Sequence, residues 1–170
     1  MTVKLLLAIA IGLAAVTGGA SGTSTSTPRC HTPDLRVYLT RIGAAAGTVE
    51  GDVAFRNRSG HPCFVYGYAG FGLEDAHHRV MPSRVTWGST AARRDPGPHR
   101  VVLRPRRAAF ANLMWNDVPF GNEHCRQSGW LEVTPPDEFT HRLVSFRGTF
   151  VCNHGHLTAT ALSRTRTPHG

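Results

Sequence analysis

The sequence lacks long apolar segments. Its 170 residues contain one apolar run, from Leu5 to Val16, and no internal repeat. A protein that crosses a membrane several times needs several runs of about 20 apolar residues, so this class is excluded. No stretch keeps apolar residues at the helical period of about 3.6 residues over three turns between capping residues. The sequence therefore does not predict a helical protein.

The sequence also lacks the motifs that mark common enzymes and metal sites. It has no Gly-x-Ser-x-Gly, no His-Glu-x-x-His and no glycine-rich phosphate loop, and none of its four cysteines has Cys-x-x-Cys spacing. These absences argue against serine hydrolases, zinc proteases, nucleotide-binding enzymes, zinc ribbons and thioredoxin-type redox pairs. We expect no enzymatic activity and no cofactor. The alternative is a small secreted hydrolase that uses Glu50 or Asp52, although this pair also fits the solvated face of a strand.

Residues 1–20 have the organisation of a secretory signal peptide. Lys4 supplies the positive charge, and the apolar run that follows is too short to span about 30 Å of hydrocarbon. We predict cleavage after Ala20, an extracellular protein that does not span the membrane after cleavage, and a flexible linker over residues 21–29. An uncleaved N-terminal anchor is the alternative. Because Cys30 lies well past the apolar run, a lipid anchor is not expected.

Export changes the expected chemistry of the cysteines. Four are present: Cys30, Cys63, Cys125 and Cys152. Outside the cytoplasm an even number of cysteines is expected to be paired rather than catalytic, and four cysteines allow three pairings. Pairing of nearest neighbours would close two loops of roughly 30 residues, and each bridge would stabilise the fold by about 3–4 kcal/mol.

Alternating apolar and polar residues predict short β-strands. Residues 35–40 and 49–55 alternate most clearly, and we expect the second strand to pair back on the first. Further strands are predicted at residues 63–68, 70–73, 80–81, 85–87, 101–103, 108–115, 130–133 and 143–152. Residues 101–103 and 108–115 are expected to pair with each other around the turn at 104–107.

This pattern of short strands and turns predicts the fold class. About seven to nine short strands with frequent turn residues are typical of an antiparallel, immunoglobulin-like β-sandwich, with a small barrel as the alternative. We therefore predict an all-β domain over residues 30–162, followed by a disordered tail over residues 163–170.

Positive charge is concentrated in one part of the chain. The net charge is +8, and arginine carries it because Lys4 is the only lysine. Eight arginines and one acidic residue lie between residues 79 and 107; the arginines are Arg79, Arg84, Arg93, Arg94, Arg100, Arg104, Arg106 and Arg107. Guanidinium groups bind phosphates and carboxylates through a bidentate fork.

The arginine-rich segment predicts a surface for an anionic polymer. The predicted contact residues are Arg93, Arg94, Arg104, Arg106 and Arg107. The alternative is that GC-rich coding alone enriches arginine. No aromatic residues are interleaved with these arginines to stack on bases, so specific nucleic-acid recognition is not expected.

The ten histidines suggest a second hypothesis. His154 and His156 are two residues apart, and His124 would lie near both if Cys125 pairs with Cys152. Three neutral imidazoles bind Cu(II) or Zn(II). The alternative interpretation is that these are surface histidines in two loops.

Several motifs occur together along the predicted domain. They are Asp34-Leu35 shortly after Cys30, the turn Asn57-x-Ser59-Gly60-x-Pro62-Cys63, and Leu131-x-Val133-Thr134-Pro135-Pro136. In this order the chain resembles the secreted actinobacterial domain-of-unknown-function 4232 family over about residues 30–162. The resemblance implies an exported, disulfide-bearing β-sandwich and supplies no site residues. One departure is Arg106, which stands where the resemblance leads us to expect glycine in a turn.

The leading hypothesis is an exported, non-enzymatic β-sandwich that acts as a binding module of the cell envelope or the medium. Contact would be made through the arginine-rich face of residues 79–107. The partner would be an anionic envelope polymer or another exported protein. We expect the protein to be a monomer.

Overall fold

The computed structural model describes residues 26–165 as an all-β domain. The predicted signal peptide and residues 166–170 of the predicted tail lie outside the described residues. Two short 3-10 helices, Thr32–Asp34 and Asn153–Gly155, precede β1 and β11. The described residues contain eleven strands: β1 (Leu35–Ala45), β2 (Thr48–Asn57), β3 (Cys63–Tyr66), β4 (Gly70–Glu74), β5 (Val80–Met81), β6 (Arg84–Trp87), β7 (Arg100–Leu103), β8 (Ala108–Asn116), β9 (Arg126–Thr134), β10 (Arg142–Val151) and β11 (His156–Ala159). No helix within residues 26–165 is long and apolar enough to cross a membrane.

Two larger sheets enclose the core. One has the order β1-β2-β8-β11-β6, the other the order β10-β9-β4-β5, and a third, two-stranded sheet pairs β3 with β7. Trp115 on β8 packs against Phe146 on β10 with the ring centroids 4.9 Å apart, which joins the two larger sheets. The predicted all-β, sandwich-like architecture is confirmed. Its antiparallel character needs one correction, because β11 and β6 run parallel. A parallel pair needs a long connection, which residues 88–155 supply.

One predicted strand pairing is confirmed and another is wrong. β1 and β2 form the expected hairpin, although β1 extends to Ala45 beyond a register shift after Thr40. The predicted hairpin of residues 101–103 and 108–115 does not form, because β7 pairs with β3 whereas β8 pairs with β2 and β11. The buried Asn57, at the end of β2, donates its side-chain amide to the Leu103 carbonyl at 2.9 Å. The turn at 104–107 therefore carries the chain from one sheet to another.

Both disulfides join nearest neighbours along the chain. Cys30 is bonded to Cys63 and Cys125 to Cys152. The first bridge lies in the core, where Cys30 and Cys63 are 2% and 0% exposed. It ties the segment before β1 to the two-stranded sheet.

The ordered domain extends slightly beyond the predicted boundaries at both ends. The Phe64 backbone N–H donates to the Pro28 carbonyl at 2.9 Å, and Arg29 forms a bridge with Phe64. At the other end Ser163 forms an antiparallel bridge with Phe110. Residues 28–29 therefore belong to the fold rather than to the predicted linker, and Ser163 belongs to it rather than to the predicted tail.

Glu138 fastens the start of the domain. Its carboxylate accepts hydrogen bonds from the Thr32 backbone N–H, the Thr32 hydroxyl and the His31 ring, each at 2.9 Å. Partial burial acts to raise the pKa of Glu138, but these hydrogen bonds outweigh it and hold the pKa below its ordinary value. The ionised form is thus favoured in the folded state.

We expect Glu138→Gln to reduce the acid sensitivity of the fold. A lowered folded-state pKa contributes stability above the unfolded value, 4.5, and this contribution is lost as the pH falls below it. Thermal unfolding at pH 7 should show a loss of about 1–2 kcal/mol, because the amide cannot accept all three hydrogen bonds. Between pH 7 and pH 3 the variant should lose less stability than the parent. The control Asp117→Asn, at an exposed residue, should keep the parent's pH dependence; equal pH dependence in the two variants would contradict the assignment.

Candidate binding surface

Six arginines meet at one end of the five-stranded sheet. Arg36 on β1 and Arg56 on β2 are directly paired across the hairpin. Because paired residues of antiparallel strands project from the same face with Cβ atoms about 5 Å apart, these two side chains are neighbours. The others come from the turn after β2 and the turn before β8. We call the set the arginine cluster: Arg36, Arg56, Arg58, Arg104, Arg106 and Arg107.

Backbone hydrogen bonds lock the two turns of the arginine cluster together. The Arg106 N–H donates to the Asn57 carbonyl at 2.8 Å, and the Asn57 N–H donates to the Arg107 carbonyl at 2.9 Å. The Arg107 N–H closes the second turn on Arg104 at 3.0 Å. The Arg56 guanidinium donates through Nε to the Arg106 carbonyl at 3.1 Å, which links the strand to the turn. The end of β2 and the turn at 104–107 are thus held together without using the guanidinium groups of Arg104, Arg106 and Arg107.

Positive charge in the arginine cluster is not neutralised by carboxylates. Five of its members are exposed and Arg56 is half-buried. Within residues 26–165 none of the six forms an ion pair with a carboxylate. Arg36 lies over the ring of Tyr38, with Cζ 5.7 Å from the ring centroid. The Asp34 carboxylate accepts a hydrogen bond from the His31 N–H at 3.0 Å instead of meeting an arginine.

The structure separates the five predicted contact residues. Arg104, Arg106 and Arg107 lie in the arginine cluster, whereas Arg93 and Arg94 lie on the 88–99 loop, which covers the outer face of the same sheet. Arg93 is half-buried, and its guanidinium donates to the Ala92 carbonyl at 3.2 Å. These two arginines line a small cavity with other residues of that face.

The predicted face of residues 79–107 does not form as one surface. Arg79 pairs with Asp75 at 2.6 Å beside the four-stranded sheet. Arg100 on β7 lies over the Phe64 ring with Cζ 4.1 Å from the centroid. The arginines of the segment are therefore distributed over three sheets. The sequence prediction missed Arg36, Arg56 and Arg58, and the signal that reveals them is the register of the β1–β2 hairpin.

The two carboxylates of the hydrolase alternative form hydrogen bonds within the protein. One oxygen of Glu50 accepts the Ala92 N–H at 2.9 Å, and the other accepts the Thr90 hydroxyl at 3.3 Å. Asp52 is 2% exposed and accepts the side-chain amide of Asn112 at 3.2 Å. A groove of about 440 Å³ runs beside these residues. Glu50 thus fastens the loop to the sheet, and Asp52 links β2 to β8 within the sheet.

The structure does not assemble the predicted site of three imidazoles. His124 and His154 line a cavity of about 350 Å³ beside the Cys125–Cys152 disulfide. The His156 ring is held elsewhere, with Nε2 2.8 Å from the Thr86 hydroxyl. Burial and the Arg84 charge lower the pKa of His156. In the part of the chain that the structure describes, the group of donors close enough to share a metal ion is a different one: Glu74, Glu132 and His141.

Comparison with known proteins gives one finding for the chain. A family model described as a domain of unknown function (DUF4232) matches residues 30–163. No curated protein and no solved structure matches.

Proposed function

The chain belongs to the DUF4232 family, and from this premise we propose that it is an exported, non-enzymatic binding module whose arginine cluster takes an anionic polymer. The observation that carries the proposal is that six arginines from three chain segments lie at one end of the five-stranded sheet, and none of them is paired with a carboxylate within residues 26–165. Collecting like charges is unfavourable unless a counter-charge is supplied, and a partner with repeating negative groups supplies it.

A polymer with repeating phosphate groups suits the arginine cluster best. The planar guanidinium fork matches phosphate oxygens in a bidentate way, and several adjacent forks can bind successive phosphates. The locked backbone of the two turns means that the main chain need not be ordered on binding, which lowers the entropic cost of association. Carboxylate polymers share the charge, so they are the competing ligand class in the test.

Export is supported by the cysteine chemistry. Two disulfides cross-link the described domain. Such bonds form and persist in oxidising compartments. The signal-peptide pattern of residues 1–20, which lies outside the described residues, agrees with this proposal. Together they support an extracellular location, where envelope polymers occur.

Neutralising the turn of the arginine cluster should weaken binding selectively. We expect the triple variant Arg104→Ser, Arg106→Gly and Arg107→Ser to bind polyphosphate at least tenfold more weakly than the parent. The slope of log K against log salt should become shallower by about two to three, because about three counterion-releasing contacts are lost. Arg106 has φ of 66°, a left-handed conformation that glycine adopts without strain, so Arg106→Gly protects the turn.

A matched control removes the same charge elsewhere. Three exposed arginines outside the arginine cluster serve: Arg84→Ser, Arg126→Ser and Arg147→Ser. This control should bind polyphosphate within about threefold of the parent. Equal weakening in both triple variants would mean that net charge alone drives binding, which contradicts the proposal. Tighter binding of polyglutamate than of polyphosphate would contradict the preference for phosphate.

A further inference from the structure

The outer face of the four-stranded sheet brings two carboxylates together. Glu132 on β9 is paired with Gly72 on β4, and Glu74 lies two residues beyond Gly72 on the same strand. Successive side chains of a strand alternate between the two faces of the sheet. Glu74 and Glu132 therefore project from the face opposite to that of the buried Leu73 and Leu131. Gly72 has no side chain, and a Cβ placed there would lie 3.8 Å from a carboxylate oxygen of Glu132. Glu132 therefore extends over the space that Gly72 leaves.

An imidazole completes the group from a third segment. His141 precedes β10 and lies two residues before Leu143, which is paired with Glu132. One donor atom each of Glu74, Glu132 and His141 lies within 4.8 Å of the others. Nδ1 of His141 is 3.6 Å from Oε1 of Glu132. A hydrogen bond would be about 2.7–3.2 Å long, whereas two tetrahedral ligands at about 2.1 Å from one ion lie about 3.4 Å apart. The spacing is too long for a direct hydrogen bond and is compatible with two ligands of one ion.

A neighbouring histidine orients the buried carboxylate. The side chain of Glu74 is 10% exposed, and Nδ1 of His78 lies 2.9 Å from one of its oxygens. The His78 ring is in turn stacked on Trp130, with the ring centroids 4.9 Å apart. Metal sites commonly have such outer partners, which fix the rotamer of a ligand before the ion binds. Two nearby carboxylates repel each other, and a divalent cation would remove this repulsion.

We propose that Glu74, Glu132 and His141 bind one divalent first-row transition-metal ion, with Zn(II) as the representative. Two carboxylate oxygens and one imidazole nitrogen are three ligands of the kind that Zn(II) accepts, with a fourth position left for water. His78 is a positioning residue for Glu74. The proposed metal site lies on the four-stranded sheet, whereas the arginine cluster lies at one end of the five-stranded sheet. Metal binding should therefore be independent of polymer binding.

Calorimetric titration of the mature protein with Zn(II), and the visible spectrum of its Co(II) complex, test the proposal. We expect one saturable Zn(II) site and a Co(II) spectrum typical of low coordination number. The double variant Glu132→Gln and His141→Ala should lose affinity by at least tenfold. Both side chains are partly exposed, at 31% and 44%, so the metal-free variant should unfold at the parent's temperature, and this is checked first. His78→Ala should weaken binding by about tenfold while one site remains.

A control separates this site from the histidines beside the Cys125–Cys152 disulfide. His124→Ala with His154→Ala should keep the parent's Zn(II) affinity. Absence of saturable Zn(II) binding in the parent, binding unchanged in the Glu132→Gln and His141→Ala variant, or loss confined to the His124→Ala and His154→Ala variant would each overturn the proposal. Binding of Ca(II) in preference to Zn(II) would overturn it as well.

Discussion

Replacing Cys30 and Cys63 by alanine is expected to lower the free energy of unfolding by about 4–5 kcal/mol. The bridge joins residues 33 positions apart, and confining such a loop in the unfolded chain is worth about 3.7 kcal/mol in the chain-entropy model. Both sulfurs are buried in the core, so their removal also leaves unfilled volume. A domain of this size has a total stability of about 5–15 kcal/mol. The variant should therefore lose about a third or more of the domain's stability.

The second bridge provides the comparison for this prediction. Cys125 and Cys152 are 27 positions apart, so the loop-closure contribution is almost the same, about 3.6 kcal/mol. Cys125 is half-buried, and its loss leaves less unfilled volume in the core. Urea unfolding without reductant should show a loss about 1 kcal/mol smaller for Cys125→Ala with Cys152→Ala. A loss below about 1 kcal/mol for the Cys30–Cys63 variant would contradict the role given to that bridge.

Gly155→Ala is expected to destabilise the fold by at least about 3 kcal/mol. Gly155 has φ of 78°, and a Cβ there would lie 2.0 Å from the Pro82 carbonyl oxygen and 2.9 Å from its carbon. These are backbone atoms, so the clash can be relieved only by moving the chain before β6. β6 pairs with β11, which begins directly after Gly155, and the parallel pair should separate.

Gly148 offers a control, because it has nearly the same φ as Gly155 but no atoms near the position of an added Cβ. Its φ is 79°, and nothing lies within 4 Å of the Cβ position. Gly148→Ala should therefore cost only the left-handed conformation of an L-residue, about 1–2 kcal/mol. The measurement is chemical unfolding of both variants. Equal losses would show that the contact of Gly155 with Pro82 does not determine the effect.

Local patterns predicted the β1–β2 hairpin but not the connections between sheets. The β1–β2 hairpin follows from alternating residues that are close in sequence. The turn at 104–107 has the composition of a hairpin turn, but the buried side chain of Asn57 makes it a crossover between sheets. That contact joins residues 46 positions apart, and no local pattern encodes it. β11 was missed for another reason: three of its four residues are buried, so no alternation marks it.

Whether a candidate site could be predicted from the sequence also depended on knowing the strand pairing. Arg104, Arg106 and Arg107 were found because they are adjacent in the sequence. Arg36 and Arg56 become neighbours only because β1 and β2 pair as a hairpin. The alternating residues predicted that hairpin, but the search for charged residues considered only arginines close together in the sequence. The group of Glu74, Glu132 and His141 comes from three separate segments, and the spacing of these residues along the chain has no metal-site signature. Charge clusters within one turn can therefore be found from the sequence, whereas clusters formed across strands can be found only once the strand pairing is known.

The most direct test of the arginine cluster is an amide chemical-shift map of the mature protein during titration with polyphosphate. The account predicts that the saturating shifts are confined to residues 35–38, 56–59 and 103–108, with the four-stranded sheet unchanged. Shifts of equal size on the outer face of β4, β9 and β10, or shifts spread over every exposed arginine, would contradict it.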